Sequence, residues 1–196
     1  MTSECYSQQA EKIIAFNETF LILPKPLQWT NFMEVFEKDS IVTLPDGKWF
    51  WNSGSNKYYF SLKNNLVNGT FIRTDSTQNI LETGSFKEGV QHGFFQYYID
   101  GYLGSTRLFE FGSEREKILY CKNGFLKRKV TTVKISQDES LNLCTFYHET
   151  GFISSQGYNG FNGKTGLWEY FDTAGNKLME EIYGDGKLVS KKSFKQ

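Results

Sequence analysis

One stretch of this 196-residue chain has residues that could hold a phosphate group. The run NGKT, residues 162–165, contains the Gly-Lys-Thr that ends a G-x-x-x-x-G-K-[ST] loop, whose backbone N–H groups bind phosphates. Such a loop must run into a helix whose N-terminus faces the phosphates. Here Gly157 lies six residues before Gly163, one more than the loop allows, and no helical pattern follows. We therefore interpret these glycines as turn residues.

The two histidines, His92 and His148, are the next candidates for chemistry. A metal site or a His-activated nucleophile needs partners at defined spacing, such as H-x-x-x-H or an acidic residue that orients the ring. Glu149 follows His148 directly, but neighbours on a strand point to opposite faces. We interpret both histidines as surface residues associated with turns.

Carboxylates cluster at Glu180, Glu181 and Asp185, and again in SQDES, residues 136–140. A glycosidase would need two of them facing each other across a cleft, which a sequence cannot show. A solvated hairpin face explains them as well. A third interpretation is an acidic surface that suits a basic partner, such as a nuclease toxin. Glu180, Glu181 and Asp185 are therefore candidate partner-binding residues.

The three cysteines, Cys5, Cys121 and Cys144, are odd in number and widely spaced. This pattern fits neither a disulfide framework nor a zinc site, and it suits a reducing compartment. We expect no metal and no cofactor. The start of the chain lacks the basic and apolar regions of a signal peptide, which predicts a cytoplasmic location, or a periplasmic one if a signal peptide has been removed.

The charge balance opposes nucleic-acid and polybasic membrane binding, because Lys+Arg and Asp+Glu both number 22. The most basic run, LKRKVTTVKIS at 126–136, is interpreted as a strand edge that charge protects from pairing. No window approaches the 18 or more apolar residues of a membrane span, so no span is expected.

The organisation of the chain changes near residue 45. Before that point, the runs SQQAEKIIAFNETF and QWTNFMEVFEKD have a moderate helical period, with Thr30 as a candidate N-cap of the second. From residue 46 onward, short alternating runs rich in aromatic and β-branched residues are separated by Gly, Asn and Asp. The sequence predicts a helical or mixed segment at 1–45 and a β-hairpin domain at 46–196.

The hairpin region is an internal repeat. LCTFYHETG at 143–151 aligns without a gap on LWEYFDTAG at 167–175, an offset of 24 residues, and Cys144 takes the place of Trp168. The stretch 115–141 fits worst. A unit of this length holds one hairpin, and several hairpins must join edge to edge to be stable.

The stretch GKTGLWEYFDTAGNKLMEEIYGDGKL, residues 163–188, resembles the variant MORN repeat, whose pattern is G-x-W-x-x-[YF]-x-x-x-G, a short strand, and an aromatic residue before x-x-G-K. The matching residues are Gly166, Trp168, Phe171, Gly175, Tyr183, Gly186 and Lys187. This repeat occurs in tandem in bacterial YwqK-type toxin–antitoxin and immunity-like proteins. The likeness covers roughly residues 46–190, although Cys144 and Phe95 replace the tryptophan in two units.

The expected fold is therefore mainly β, with about five MORN-like β-hairpin repeats in one elongated antiparallel sheet. The resemblance implies a binding role rather than an enzyme. It suggests an immunity or antitoxin protein that neutralises a cognate toxin or effector by direct binding and occlusion. The alternative is a structural scaffold for protein assembly or membrane-proximal interactions, and a homodimer through the sheet edge is also open.

Aromatic residues divide into expected core and expected contacts. Trp168, Tyr170, Phe95 and Tyr97 recur at one repeat position, which is typical of a core. Cys144 shares that position and is expected to be a buried thiol. The less regular aromatics are the candidate partner contacts: Tyr98, Tyr102 and Phe125.

Overall fold

The structure is a computed structural model that describes residues 12–22, 28–29, 35–37, 40–41 and 44–194. All the regular secondary structure of these residues is β-strand, which confirms the mainly β class. None of the described residues forms a helix, so none of them provides a helix that is long and apolar enough to cross a membrane.

The described residues divide into two compact units. The first unit contains the residues up to Gly101 together with Leu108–Ser113, and the second contains Tyr102–Arg107 and the residues from Glu114 onward. The division cuts two strands, β12, Tyr102–Glu110, and β13, Ser113–Tyr120. The domain boundary near residue 45 stays a prediction.

The first unit contains a sheet with the order β1-β2-β6-β7-β8-β9-β11, with β10 paired to β9, and a separate sheet β3-β4-β5. Its strands are β1 Lys12–Ala15, β2 Glu18–Ile22, β3 Gln28–Trp29, β4 Val35–Glu37, β5 Ser40–Ile41, β6 Gly47–Ser53, β7 Asn56–Lys63, β8 Leu66–Asp75, β9 Ile80–Lys87, β10 Val90–Gln91 and β11 Gly93–Ile99. The described pairs are antiparallel except β2 and β6, which run parallel.

The helical prediction for the N-terminal segment is wrong where the structure describes it. Lys12–Ala15 and Glu18–Ile22 form a hairpin, and Gln28–Trp29 and Val35–Glu37 are paired strands. The reason lies in the turn, where Phe16 and Asn17 both adopt positive φ, as a two-residue hairpin turn requires. β-branched and aromatic residues on either side favour a strand over a helix. Thr30, the candidate N-cap, lies outside the described residues.

The larger core cluster of the first unit is a row of aromatic rings on one face of the sheet, and a smaller cluster of Phe20, Phe50 and Tyr59 lies on the other. Trp49 pairs with Phe60, and Phe60 with Phe71, so their side chains share that face. The row continues through edge-to-face contacts, with ring centroids 5.4 Å apart between Phe71 and Phe86 and between Phe86 and Phe95. Phe95 is fully buried, as predicted for the repeat position.

The second unit is a run of consecutive antiparallel hairpins in chain order from β13 to β19. Its strands are β13 Ser113–Tyr120, β14 Leu126–Lys134, β15 Ser140–Tyr147, β16 Ile153–Gly160, β17 Gly163–Phe171, β18 Lys177–Gly184 and β19 Lys187–Ser193. One row of paired residues crosses four strands: Cys144 opposite Gly157, Gly157 opposite Trp168, and Trp168 opposite Glu181. Cys144 and Trp168 are buried, as predicted.

The turns repeat as the strands do. In the turn that begins at His148, the amide of the first residue donates to the carbonyl oxygen of the fifth, and the amide of the fourth donates to the carbonyl oxygen of the first. The turn that begins 24 residues later, at Asp172, has the same two hydrogen bonds. The turns that begin at Asp75 and Cys121 have the same two hydrogen bonds. The interval from Cys121 to His148 is three residues longer, which agrees with the poor fit of 115–141. The repeat-like hairpin architecture is confirmed.

Candidate protein-binding surface

The second unit exposes an apolar strip on the face opposite its buried row. Each residue of that row has a neighbour along the chain that points to the other face, because side chains alternate on a strand. These neighbours are Leu143, Tyr158, Leu167 and Ile182, which we call the apolar strip. Leu143 is paired with Tyr158, and Leu167 with Ile182. Between the two pairs a register shift sets Thr165 opposite Tyr158, two residues from Leu167, so the strip runs from β15 to β18 with Thr165 beside it.

Solvent reaches most of this strip. Tyr158 is 37% exposed, Leu167 45% and Ile182 47%, although all three lie within the strands of a sheet. Exposed apolar residues that are contiguous on one surface are typical of interaction sites. The strip is therefore a candidate contact surface.

Acidic turns border one end of the strip. A cavity of about 440 Å³ lies among the β14–β15, β16–β17 and β18–β19 turns, and its lining includes Asp138, Glu139 and Asp185. Among the described residues, no Lys or Arg lines it. Phe161, in the β16–β17 turn, also lines the cavity and is fully exposed. We call the three carboxylate residues, Asp138, Glu139 and Asp185, the acidic rim.

The cavity and the strip lie on the same face of the sheet. Leu141 lines the cavity and is two residues from Leu143 on the same strand, so the two share a face. Thr165 also lines the cavity, and it pairs with Tyr158 of the strip. The arrangement is an apolar strip with acidic residues at one end, and many protein interfaces likewise have an apolar core with polar residues around it.

A network of one lysine and two glutamates lies farther along this face. The Lys177 ammonium is 2.6 Å from a Glu169 oxygen and 2.8 Å from a Glu180 oxygen, and Gln156 donates to Glu169 at 2.9 Å. The hydrogen bond from Lys177 lowers the pKa of Glu169, and the same bond raises the pKa of Lys177. Glu180, one of the predicted contacts, is therefore already paired within its own unit.

A second network holds Glu181, another predicted contact, on the buried face. Its carboxylate accepts hydrogen bonds from the hydroxyls of Tyr170 at 2.6 Å and Tyr183 at 2.8 Å, and only 8% of the residue is exposed. The Tyr170 hydrogen bond lowers the pKa of Glu181. Burial and the same carboxylate raise the pKa of Tyr170, so both hydroxyls stay protonated and continue to donate.

The other predicted contacts lie on different strands and turns, and Tyr98 and Tyr102 belong to the two neighbouring strands β11 and β12. Tyr98 is half-buried on β11 in the first unit, where its hydroxyl is 3.3 Å from the Gln96 side-chain oxygen. Tyr102 is half-buried on β12, with the Lys122 ammonium 5.6 Å from its ring centroid. Phe125 is 53% exposed at the end of a turn. Asp185, in the acidic rim, is exposed, and the Asn162 side-chain amide donates to it.

Sequence reasoning missed Tyr158, Leu167 and Ile182 as contact candidates. The available signal was the alternation around the repeat position: where Trp168 is buried, its neighbour Leu167 must face the other side. The alternation that indicates the buried face also indicates the apolar residues on the opposite face of each strand.

The structure decides two further predictions, one for the basic run 126–136 and one for the Gly-Lys-Thr run 163–165. The basic run does not form a protected edge, because β14 pairs with β13 on one side and with β15 on the other. Its cations are accommodated inside the sheet: Lys129 is 2.7 Å from Glu116, and Arg128 lies over the Phe146 ring. The Gly-Lys-Thr run opens strand β17 rather than a helix, as the turn interpretation required.

The histidines are also located. His148 begins a turn, as predicted, but it is half-buried, and its Nε2 lies 3.0 Å from the carbonyl oxygen of Phe171. His92 packs against the ring of Phe111 with centroids 4.9 Å apart. Among the described residues, no group of three or more His, Cys, Asp or Glu side chains is placed to hold a metal ion.

The chain matches no protein-family model and no curated protein. What can be said of its function is therefore based on the surfaces of the chain itself.

Proposed function

We propose that this chain is a protein-binding module that neutralises a partner by covering it, as an immunity or antitoxin protein does with a cognate bacterial toxin or effector. The observation that carries the proposal is the apolar strip with its acidic rim. The module acts by binding and occlusion rather than by catalysis.

The strip supports binding to a protein because it is broad and partly aromatic. Tyr158, Leu167 and Ile182 come from three adjacent strands, so the sheet backbone holds them in fixed positions. A preorganised surface loses little conformational entropy on binding. Such a surface can form the centre of an interface that buries about 800 Å² on each partner.

The acidic rim indicates the charge of the partner. Asp138, Glu139 and Asp185 favour a partner that is basic around an apolar patch, because complementary charge speeds the encounter and rejects acidic surfaces. A toxin that binds nucleic acid has such a basic surface, and a module that covers it excludes the substrate. We therefore propose a nuclease-type toxin as the first candidate partner.

The test is co-expression with the product of each neighbouring reading frame. The proposal expects one product that arrests growth when expressed alone, forms a stoichiometric complex with this chain, and no longer arrests growth in its presence. If none of the neighbouring products arrests growth, or if one does and this chain neither binds nor silences it, the proposal is wrong.

A second candidate function is a structural scaffold that assembles through the sheet edge, and one observation favours it. β19 is last in the strand order, and all seven of its residues are exposed. An edge strand offers backbone groups to another strand, although Lys187, Lys191 and Lys192 oppose close pairing of two such edges. Light scattering during size-exclusion chromatography tests this candidate function. A chain that is monomeric at every protein concentration would contradict it.

A further inference from the structure

The ammonium group of Lys164 lies close to three aromatic rings of the second unit. Its Nζ is 4.4 Å from the ring centroid of Trp168, 5.0 Å from that of Tyr183 and 5.1 Å from that of Tyr170. The Trp168 and Tyr183 distances are within the range at which the face of a ring attracts a cation, while at Tyr170 the ammonium lies at the ring edge and donates a hydrogen bond to the hydroxyl at 2.5 Å. The rings therefore form a cation cage, which the chain's own lysine occupies.

A carboxylate strengthens this cage. Both tyrosine hydroxyls donate to Glu181, which fixes the two rings and places a negative charge beside them. Trp168 is buried at the base of the cage, with its indole N–H donating to the carbonyl oxygen of Tyr158 at 2.9 Å. Lys164 is only half-buried, so the cage opens to solvent along the path that its side chain follows.

The hairpin repeat does not require this cage. In the unit 24 residues earlier, β15 pairs with β16 in the same register as β17 with β18, yet its equivalent positions hold none of the cage's lysine, tryptophan, tyrosine or glutamate. Those positions are Ser140, Cys144, Phe146, Gly157 and Asn159. Since the fold tolerates small side chains at four of these positions, with Phe146 the one aromatic residue, the set of the last unit calls for another explanation.

We infer that Trp168, Tyr170 and Tyr183 form a binding site for a methylated or quaternary ammonium group, and that Lys164 competes with such a ligand for the cage. An aromatic cage binds a quaternary ammonium group through the faces of its rings. Because this ligand has no N–H group, its binding leaves no hydrogen-bond donor without a partner. When Lys164 leaves the cage it gives up its hydrogen bond to the Tyr170 hydroxyl, and its flexible stem returns the ammonium to water, which solvates it. This site does not depend on the proposed protein partner.

The test is a titration of the full chain with choline, followed by the indole N–H signal of Trp168 in NMR spectra. Lys164→Ser removes the competitor and is expected to bind choline at least about tenfold more tightly than the wild type. The uncharged isostere 3,3-dimethylbutan-1-ol should not shift the same signal, because the rings select for positive charge.

Two variants control this result. Lys192→Ser removes a lysine that lies over a single ring, Phe194 at 4.7 Å, and should bind choline as weakly as the wild type. Adding Tyr183→Leu to Lys164→Ser removes one wall of the cage and should abolish the gain. The inference is overturned if folded Lys164→Ser shows no shift with choline, responds equally to the neutral isostere, or keeps its affinity without Tyr183.

Discussion

Gly157 lies directly opposite Trp168 in the pairing of β16 with β17, and the indole ring covers it so closely that a Cβ atom at Gly157 would overlap the ring. The backbone φ of Gly157 is not positive, so the requirement is for space rather than for an unusual conformation. The first unit has the same arrangement, where Phe95 covers Gly84. An aromatic ring over a strand glycine is thus a packing device that recurs in this chain.

The first prediction follows from this contact. Gly157→Ala should lower the free energy of unfolding by about 1–3 kcal/mol, because the ring must shift in a packed core. Gly160→Ala is the matched control on the same strand, since a Cβ atom there would meet its nearest neighbour, Leu141, at 3.4 Å, close to ordinary contact. Urea unfolding of both variants makes the comparison. Equal stability of the two would show that the ring does not restrict Gly157.

The second prediction concerns acid stability. The pKa of Glu181 is lowered in the folded state, so its ionised form stabilises the fold above the ordinary pKa of 4.5, and this contribution is lost as the pH falls below that value. Glu181→Gln should therefore be less stable than the wild type near neutral pH, and the difference should shrink in acid. Denaturant unfolding at several pH values measures it.

Glu149→Gln is the control for that experiment, because Glu149 is exposed. It should follow the wild-type stability across the whole pH range. A Glu181→Gln variant whose deficit stays constant as the pH falls would contradict the role assigned to the ionised carboxylate. Glu169 has a lowered pKa as well, so the Glu181→Gln variant keeps some acid sensitivity.

The third prediction concerns the acidic rim and requires the toxic partner identified by co-expression. Replacing Asp138 and Asp185 with Asn and Glu139 with Gln should slow association and weaken its dependence on salt, while dissociation changes less. Stopped-flow measurements at several salt concentrations test this. The matched control replaces Asp100, an exposed turn residue of the first unit, with Asn. If the rim variant associates at the wild-type rate, charge complementarity does not contribute to binding of the partner.

Much of the fold could be predicted from the sequence because hairpin repeats have a local signal. The alternation around Trp168 and the glycines at turns such as Gly175 follow from strand geometry and from positive φ. The 24-residue offset then locates the corresponding turns of neighbouring units. Burial of Cys144 followed from its alignment on Trp168.

The errors have physical causes as well. The residues Lys12–Ile22 have a mixed pattern, and a two-residue turn at Phe16 and Asn17 without glycine gives no recognisable hairpin signal. The basic run was interpreted as an edge because strand order depends on pairing with β13 and β15, which no local pattern encodes. Glu181 was expected to be exposed, since its two tyrosine partners become visible only once β17 pairs with β18.

The fourth prediction tests the central claim, that the apolar strip is the contact surface. Leu167→Lys combined with Ile182→Lys should reduce affinity for the toxic partner by at least about a hundredfold, because two charges enter the centre of the interface. The fold should tolerate both changes, since each side chain is nearly half exposed. Ile99→Lys, on an exposed position of the first unit, is the control and should bind as the wild type does.

The most direct measurement is calorimetric titration of these three proteins with the partner recovered by co-expression. The account predicts tight binding by the wild type and by Ile99→Lys, and a large loss for the Leu167→Lys, Ile182→Lys double variant with an unchanged unfolding curve. Wild-type affinity in a correctly folded double variant would contradict it, and the contact surface would then have to lie elsewhere on the chain.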